Sequence, residues 1–571
     1  MEQVSAATRP GDGAWRLIVG VLAGVPLIVG AVVDAVGGWM PTGDEATIVL
    51  RARDVFSAHM PLLGQFSEAS AYLPRGQFVY APGPSLYWLL AVPAQFVGRW
   101  PWAPLVWTAS VEAGVVVGIV WLAGDLGGRL LAVATALGIA VLTASLGARN
   151  LYSPWSVNVP VLPLVLLVYV TWAILLGRYR LLPLAVLLVS FEVQADPSFG
   201  YVSVVLTGVI LIAMTRAWWR TRGLPAAARR DAGLGRPTMV LSVLVGVALW
   251  LPALVQQATN HPGNLTLLVR ASRRQGGREG VLFGLAILGK VVVRWPFLEF
   301  NEVPLNAGSG APLSYVVAGS AVLALLVALL VIATQRRSTS VVAGLVASLG
   351  VGVGLVVAAA LLPSDHLSSG SFWLLGWSPD VGFLVWIIIG WATWSLWVDP
   401  ALISHTPRSV RRMRPLLVAG GIVVMVLVAA SDVGYLVARP DPRRAWYPVV
   451  RKVAADLQRS PHQRYAVGAQ MAPVVPLMVG QALVLRLAAA GVPVGANSGF
   501  ERNLGMHYRL PRDGSVPRIV IYGDYNRYGF TAAAPPGGRV LASMPVALQE
   551  YGKQVVVHVV LVPPGRFARP Y

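Results

Sequence analysis

Along this chain the apolar residues come in long runs, not in alternation. Between Trp15 and Val437 runs of about 20 residues recur, the length that crosses roughly 30 Å of hydrocarbon, separated by polar segments of which the longest is Gln256 to Pro312. Past Pro440 the pattern changes. An amphipathic stretch, Pro448 to Leu457, precedes a strand-like Tyr465 to Gly468 and a helix-like Val474 to Ala490. Strand-like runs follow at Val492 to Ala496, Arg518 to Tyr522, Arg539 to Ser543 and Gln554 to Val562. The pattern predicts an α-helical polytopic membrane domain over residues 1–438 and a small α/β domain over 439–571. The second region contains no Gly-rich phosphate loop. The first run ends near Gly38, beyond the roughly 7 to 15 residues of a secretory core, so it reads as a retained span.

Basic loops set the orientation, because Lys and Arg collect on the cytoplasmic side. The clearest is Arg216 to Arg236, which includes Arg229 and Arg230; Arg178 with Arg180, Arg336 with Arg337, and Arg408, Arg411, Arg412 and Arg414 agree with it. With the N-terminus inside, the first span delivers Asp44 and Glu45 outside, and Leu151 to Asn158 must be outside too. Parity then leaves Pro84 to Val97, with Pro93 and Gln95 in it, lying at the outer interface. Spans are expected from Trp15, Pro104, Arg129, Val159, Leu181, Phe199, Pro237, Leu313, Val341, Phe372 and Pro415, about eleven crossings. An odd count puts the C-terminal domain outside, with the acidic pair. Gly280 to Phe297, which carries Lys290 and Arg294, is expected to be an interfacial helix.

Composition narrows the class. Charged residues make up 12% and hydrophobic ones 56%, a balance that a water-soluble chain of 571 residues could not cover with polar surface. The net charge of +20 is accounted for by basic loops and anionic lipid head groups, and no pattern of basic and stacking residues for nucleic acid is present. There is no cysteine, which excludes disulfides and thiolate metal sites.

Polar residues that the topology gathers on the outer side are the candidates for chemistry. They are Asp44 and Glu45 after the first span; Tyr80, Tyr87 and Trp88 around a Pro-Gly-Pro segment; and Arg149, Asn150 and Asn158 around Pro154 and Trp155. Further along come Gln194 and Asp196, then Gln256, His261 and Asn264. Each is also what an ordinary interface contains, since Pro, Trp and Tyr are frequent at span ends.

The acidic pair after the first span, the Pro-containing segment running into Tyr87-Trp88-Leu89, and the Asn/Pro/Trp loop before a later span resemble the C-type (GT-C) glycosyltransferases. The likeness is to their protein-mannosyltransferase-like branch and to actinobacterial membrane proteins near the arabinofuranosyl- and mannosyltransferases. It covers Trp15 to Asn264 best. It implies a polyprenyl-phosphate-linked sugar donor, a cell-envelope glycan or glycolipid acceptor, and inverting hexosyl or pentosyl transfer at the outer face of the cell membrane. Asp44 matches the family's general base, and Glu45 the second acid of the pair, a candidate ligand for a divalent cation or for the acceptor. Where the family's second outer loop ends in an acid, this chain has Arg149, Asn150 and Asn158; where some relatives have Gln-x-His, it has Gln194, Ala195 and Asp196.

Transfer needs a base for the acceptor hydroxyl, worth about 10² to 10⁴-fold, and donors or cations for the departing phosphate. Arg270, Arg273, Arg274 and Lys290 are candidates for the lipid phosphate; contact with ordinary head groups is their alternative role. A transporter or lipid flippase would also have many spans, and Glu112 is the best intramembrane acid for one, or else a structural acid. A non-catalytic scaffold that binds envelope glycans is the third reading.

Overall fold

The computed structural model describes residues 12–223, 235–274, 276–297, 311–364, 372–400, 413–459, 463–469, 474–496, 501–510, 515–524, 537–548 and 553–565. Arg229, Arg230, Arg408, Arg411 and Arg412 of the basic loops lie outside the described residues. The chain forms two compact units: residues 1–30, 67–85 and 109–435 make one, and residues 31–66, 86–108 and 436–571 the other.

The first unit is a bundle of helices. Its chain order is α1 (Asp12–Val36, whose last turns enter the second unit), α4 (Ala103–Leu146), α5 (Ala148–Tyr152), α6 (Val161–Leu175), α7 (Leu182–Ala195), α8 (Gly200–Thr221), α9 (Arg236–Thr259), α10 (Asn264–Arg274), α11 (Val281–Arg294), α12 (Leu313–Gln335), α13 (Thr339–Ala360), α14 (Pro379–Thr393) and α15 (Met413–Ala438). Among the described residues, eight helices are long and apolar enough to cross a membrane. One of them, α4, has 44 residues, about 66 Å of helix, twice the hydrocarbon thickness. It breaks at Gly128, whose φ of 73° and ψ of −164° only glycine adopts readily, so it serves as two crossings. With the shorter α6 and α7, of 15 and 14 residues, the expected set of about eleven is complete. α6 is buried along its whole length against α7, α8, α13 and α14, so it never meets lipid.

Polar contacts mark one end of this bundle. Asp125, beside the α4 break, pairs with Arg16 at the start of α1 and, at 3.1 Å, with Arg178 at the end of α6. Nearby, Ser340 Oγ at the start of α13 donates to the Leu126 carbonyl at 3.2 Å, and the Trp172 indole donates to the Ser340 carbonyl at 2.9 Å. These are the ends that the charge argument assigns to the cytoplasm.

The helix expected at the interface over 280–297 is α11, and it is seated in the bundle against α12, α13 and α14. Small residues allow this. A Cβ at Gly284 would lie 2.3 Å from the Val356 carbonyl oxygen, and one at Gly289 2.0 Å from that of Tyr315; the partner glycine, Gly319, lies as close to Leu285.

The second unit contains α2 (Gly43–Arg53), α3 (Ser85–Gln95), α16 (Tyr447–Gln458), α17 (Val474–Ala489) and a short α18 (Glu501–Leu504). Its five strands are β1 (Tyr465–Ala469), β2 (Val494–Ala496), β3 (Arg518–Asp524), β4 (Arg539–Leu548) and β5 (Lys553–Val562). They form one sheet in the order β2-β1-β3-β5-β4, with β1 parallel to β2 and β3, and β5 antiparallel to β3 and β4. At eleven residues, about 16 Å, α3 is too short to cross. α17 is apolar nearly all round because it is covered twice, by α2 and α16 and by β1 and β3 of the sheet.

Candidate active site

Asp44 is the second residue of α2. Thr42 caps this helix, and the Thr42 N–H donates to the Glu45 carboxylate at 3.5 Å, the reciprocal arrangement of a capping box. Gly43 takes a positive φ of 58° and lets the helix start against Met478 of α17. Asp44 stays partly exposed in the first turn, where the helix dipole favours a carboxylate, while Glu45 is buried.

Sequence reasoning missed what holds Glu45. Arg443 Nη1 donates to Glu45 Oε2 at 2.7 Å and to Thr42 Oγ1 at 3.4 Å. The Asp441 carboxylate grips the same guanidinium, accepting from Nε at 3.1 and 3.2 Å and from Nη2 at 3.0 Å, and it also accepts from the Tyr447 hydroxyl at 2.9 Å. Two further arginines reach the same loop. Arg444 Nε donates to the Gly37 carbonyl at 2.9 Å, and Arg451 lies over Gly38. The signal was present as Arg-Pro-Asp-Pro-Arg-Arg, residues 439–444, directly after the last span. At the other end of α2, Asp54 accepts from Arg51 at 2.5 Å and lies 3.3 Å from His507 Nε2; His507 stacks on His59 with ring centroids 4.3 Å apart. Tyr87 and Trp88 of α3 belong to this unit as well, and the buried Trp88 indole N–H has no hydrogen-bond partner among the described residues.

The other candidates lie in the first unit, where several amides are engaged with backbone. Asn264 is a two-way clasp on Tyr80: its Oδ1 accepts from the Tyr80 N–H and its Nδ2 donates to the Tyr80 carbonyl, both at 2.9 Å. Gln256 Oε1 accepts from the Asn264 N–H at 2.9 Å, and Gln257 Oε1 from the Leu265 N–H at 2.9 Å, so both side chains cap α10. Gln194 holds the Pro-Gly-Pro segment, accepting from the Ser85 N–H at 3.3 Å and donating to the Leu249 carbonyl at 3.0 Å. His261 is exposed. Arg149 and Asn150 sit on α5, with Asn150 Nδ2 donating to the Leu146 carbonyl at 2.7 Å. Asn158 is buried, and its Oδ1 has no partner among the described residues. Asp196 accepts from the Ser198 N–H at 2.8 Å; burial, partly offset by that bond, pushes its carboxyl up to about 6, and Glu68 adds to the rise.

α10 has two faces. Leu267 and Ala271 pack with Leu73 and Val79, while Arg270, Arg273 and Arg274, three and four residues apart, form an exposed cationic face. Lys290 on α11 is half-buried. Among the described residues, no group of three His, Asp or Glu side chains is arranged to hold a metal ion.

No protein-family model matches this sequence, and a search of curated proteins finds none similar to it. Solved structures do match. The crystal structure of ArnT from Cupriavidus metallidurans bound to undecaprenyl phosphate aligns with a TM-score of 0.52 at 14% identity, over 95% of this chain and 98% of that one. Its apo state aligns with a TM-score of 0.48 at 14% identity, over 97% and 98%. The ligand-bound likeness runs the length of both chains. The chain is an α-helical polytopic membrane protein with the GT-C architecture of ArnT and a small C-terminal α/β sheet region.

Proposed function

We propose that this chain is a membrane glycosyltransferase that moves a sugar from a polyprenyl-phosphate donor to a cell-envelope glycan or glycolipid at the outer face of the membrane. Mannose and arabinofuranose are the sugars that its likeness to the protein-mannosyltransferase and arabinofuranosyltransferase branches favours. The observation that carries the reading is Asp44, a partly exposed carboxylate fixed at the start of α2, on a fold shared with a protein crystallised with undecaprenyl phosphate. Fold alone would not support a reaction; a positioned base on that fold does.

In this reading Asp44 takes the acceptor hydroxyl proton as the oxygen attacks the anomeric carbon from the face opposite the phosphate. The sugar–phosphate bond breaks with inversion, and the electron pair leaves on the polyprenyl phosphate. Arg270, Arg273 and Arg274, with Lys290, are the cationic candidates for stabilising a lipid phosphate as its charge grows. Glu45 acts by holding α2, and Tyr80, Tyr87, Trp88, Arg149, Asn150, Asn158, Gln194, Asp196, Gln256, His261 and Asn264 shape the substrate pockets. Because α2 packs on α17, the acidic loop and the C-terminal region share a side of the membrane, which supports an extracytoplasmic C-terminal region.

The test is transfer of labelled sugar from polyprenyl-phospho-mannose and polyprenyl-phospho-arabinose by purified wild type and Asp44→Asn. We expect loss of about 10²-fold or more in kcat with the protein still folded, since an amide cannot accept the proton. Undiminished turnover would remove Asp44 from the role. One observation favours a transporter instead: Glu112, Glu192 and Asp380 are buried in the helical unit, and the carboxylates of Glu112 and Asp380 have no hydrogen-bond partner among the described residues. Proton flux in proteoliposomes, with no sugar transfer from either donor, would make that reading the better one.

A further inference from the structure

We propose that Arg443 is the positioning residue for Asp44, a clamp through which the segment after the last span sets the base; this rests on the glycosyltransferase reading. Arg443 contacts Thr42 at 3.4 Å and Glu45 at 2.7 Å, the residues on either side of the Gly43–Asp44 pair. A group that holds both flanks of a helical first turn fixes the carboxylate between them. Arg443 is itself held rigidly, because Asp441 binds its guanidinium through both oxygens and Tyr447 in turn binds Asp441. Only a planar fork can meet Glu45 on one edge and Asp441 on the other at once.

The placement of the charges points the same way. Glu45 and Asp441 are both buried, and the one guanidinium lies between their two negative charges. Its donors are directed at these two carboxylates, so it is poorly placed to bind a substrate phosphate, and its influence on the reaction runs through α2. Arg444 on the Gly37 carbonyl and Arg451 over Gly38 extend the grip to the loop that enters the helix. A base displaced by about 1 Å loses about 10²-fold in rate, which sets the size of the expected effect.

The experiment compares full-length wild type, Arg443→Met, Arg443→Lys, Glu45→Gln and the Arg443→Met/Glu45→Gln double variant, with kcat expressed per folded molecule. We expect Arg443→Met and Glu45→Gln each to lower kcat about 10²-fold while donor KM changes less than about threefold. The double variant should be no worse than either single one, because both break the same contact. Arg443→Lys should recover part of the loss, since an ammonium can reach Glu45 without also forking Asp441. Normal kcat per folded Arg443→Met molecule would overturn the clamp, and so would losses that multiply in the double variant. A wild type that transfers no sugar would instead overturn the glycosyltransferase reading, and the clamp with it.

Discussion

Asn264 and Asp196 show how far a residue type can be read without its neighbours. Both are candidates because the topology gathers them among the polar residues of the outer side. Asn264 turns out to form two bonds with the Tyr80 backbone, 184 positions away in sequence, and no local pattern could have revealed that partner. Asp196 keeps its chemistry. Its carboxyl, pushed up to about 6 by burial, binds a proton more tightly in the folded protein than in the unfolded chain. Protonation therefore favours the folded state: the contribution is full below about pH 4, the unfolded value, and is lost as pH rises through about 6. In detergent, the thermal midpoint of wild type should fall relative to that of Asp196→Asn between about pH 4 and about pH 6, by less than the roughly 3 kcal/mol that two full pH units represent, because the side chain keeps some solvent exposure. Parallel curves would mean that the carboxyl titrates as it does in the unfolded chain.

Elements were the most legible scale. Runs of about 20 apolar residues announce spans, and the strand and helix patterns past Pro440 coincide with β1, α17, β2, β3, β4 and β5 to within a few residues. What the pattern could not convey was close approach. Lys290 and Arg294 made α11 read as a surface helix, but the glycines at 284 and 289 seat it in the bundle, and glycine adds nothing to a hydropathy profile. Two substitutions separate the two jobs that glycine does here. Gly289→Ala sets a methyl 2.0 Å from the Tyr315 carbonyl oxygen and must push α11 from α12, so we expect a loss of about 1 to 3 kcal/mol, read as a lower thermal midpoint. Gly128→Ala meets no atom within 4 Å, yet its φ of 73° is closed to alanine, and a similar loss should come from backbone strain alone. If Gly128→Ala melts like wild type, the α4 break does not depend on that conformation.

At the scale of the whole molecule, the change of pattern at residue 438 is visible in sequence, whereas the company that α2 keeps is not. Its buried Ile48, Val49 and Leu50 sit on a helix of only eleven residues, and the chain that covers them, α17, follows every membrane crossing. Topology thereby becomes testable with two reporters in one unit. The chain has no cysteine, so single cysteines at Ser57, just past α2, and at Ser515, just before β3, would be the only thiols present. Both positions are exposed. Since α2 and α17 pack together, the two thiols must share a side of the membrane whatever the number of crossings between them. If that number places them outside, a membrane-impermeant maleimide added to intact cells should label both, and a cysteine at Gln335, at the α12 end next to Arg336 and Arg337, should be labelled only after lysis. Protection of Ser57→Cys and Ser515→Cys together with labelling of Gln335→Cys would invert the whole topology and place Asp44 in the cytoplasm, on the wrong side for an extracytoplasmic acceptor. Labelling of only one of the first two would contradict the packing of α2 on α17, and with it the clamp at Arg443.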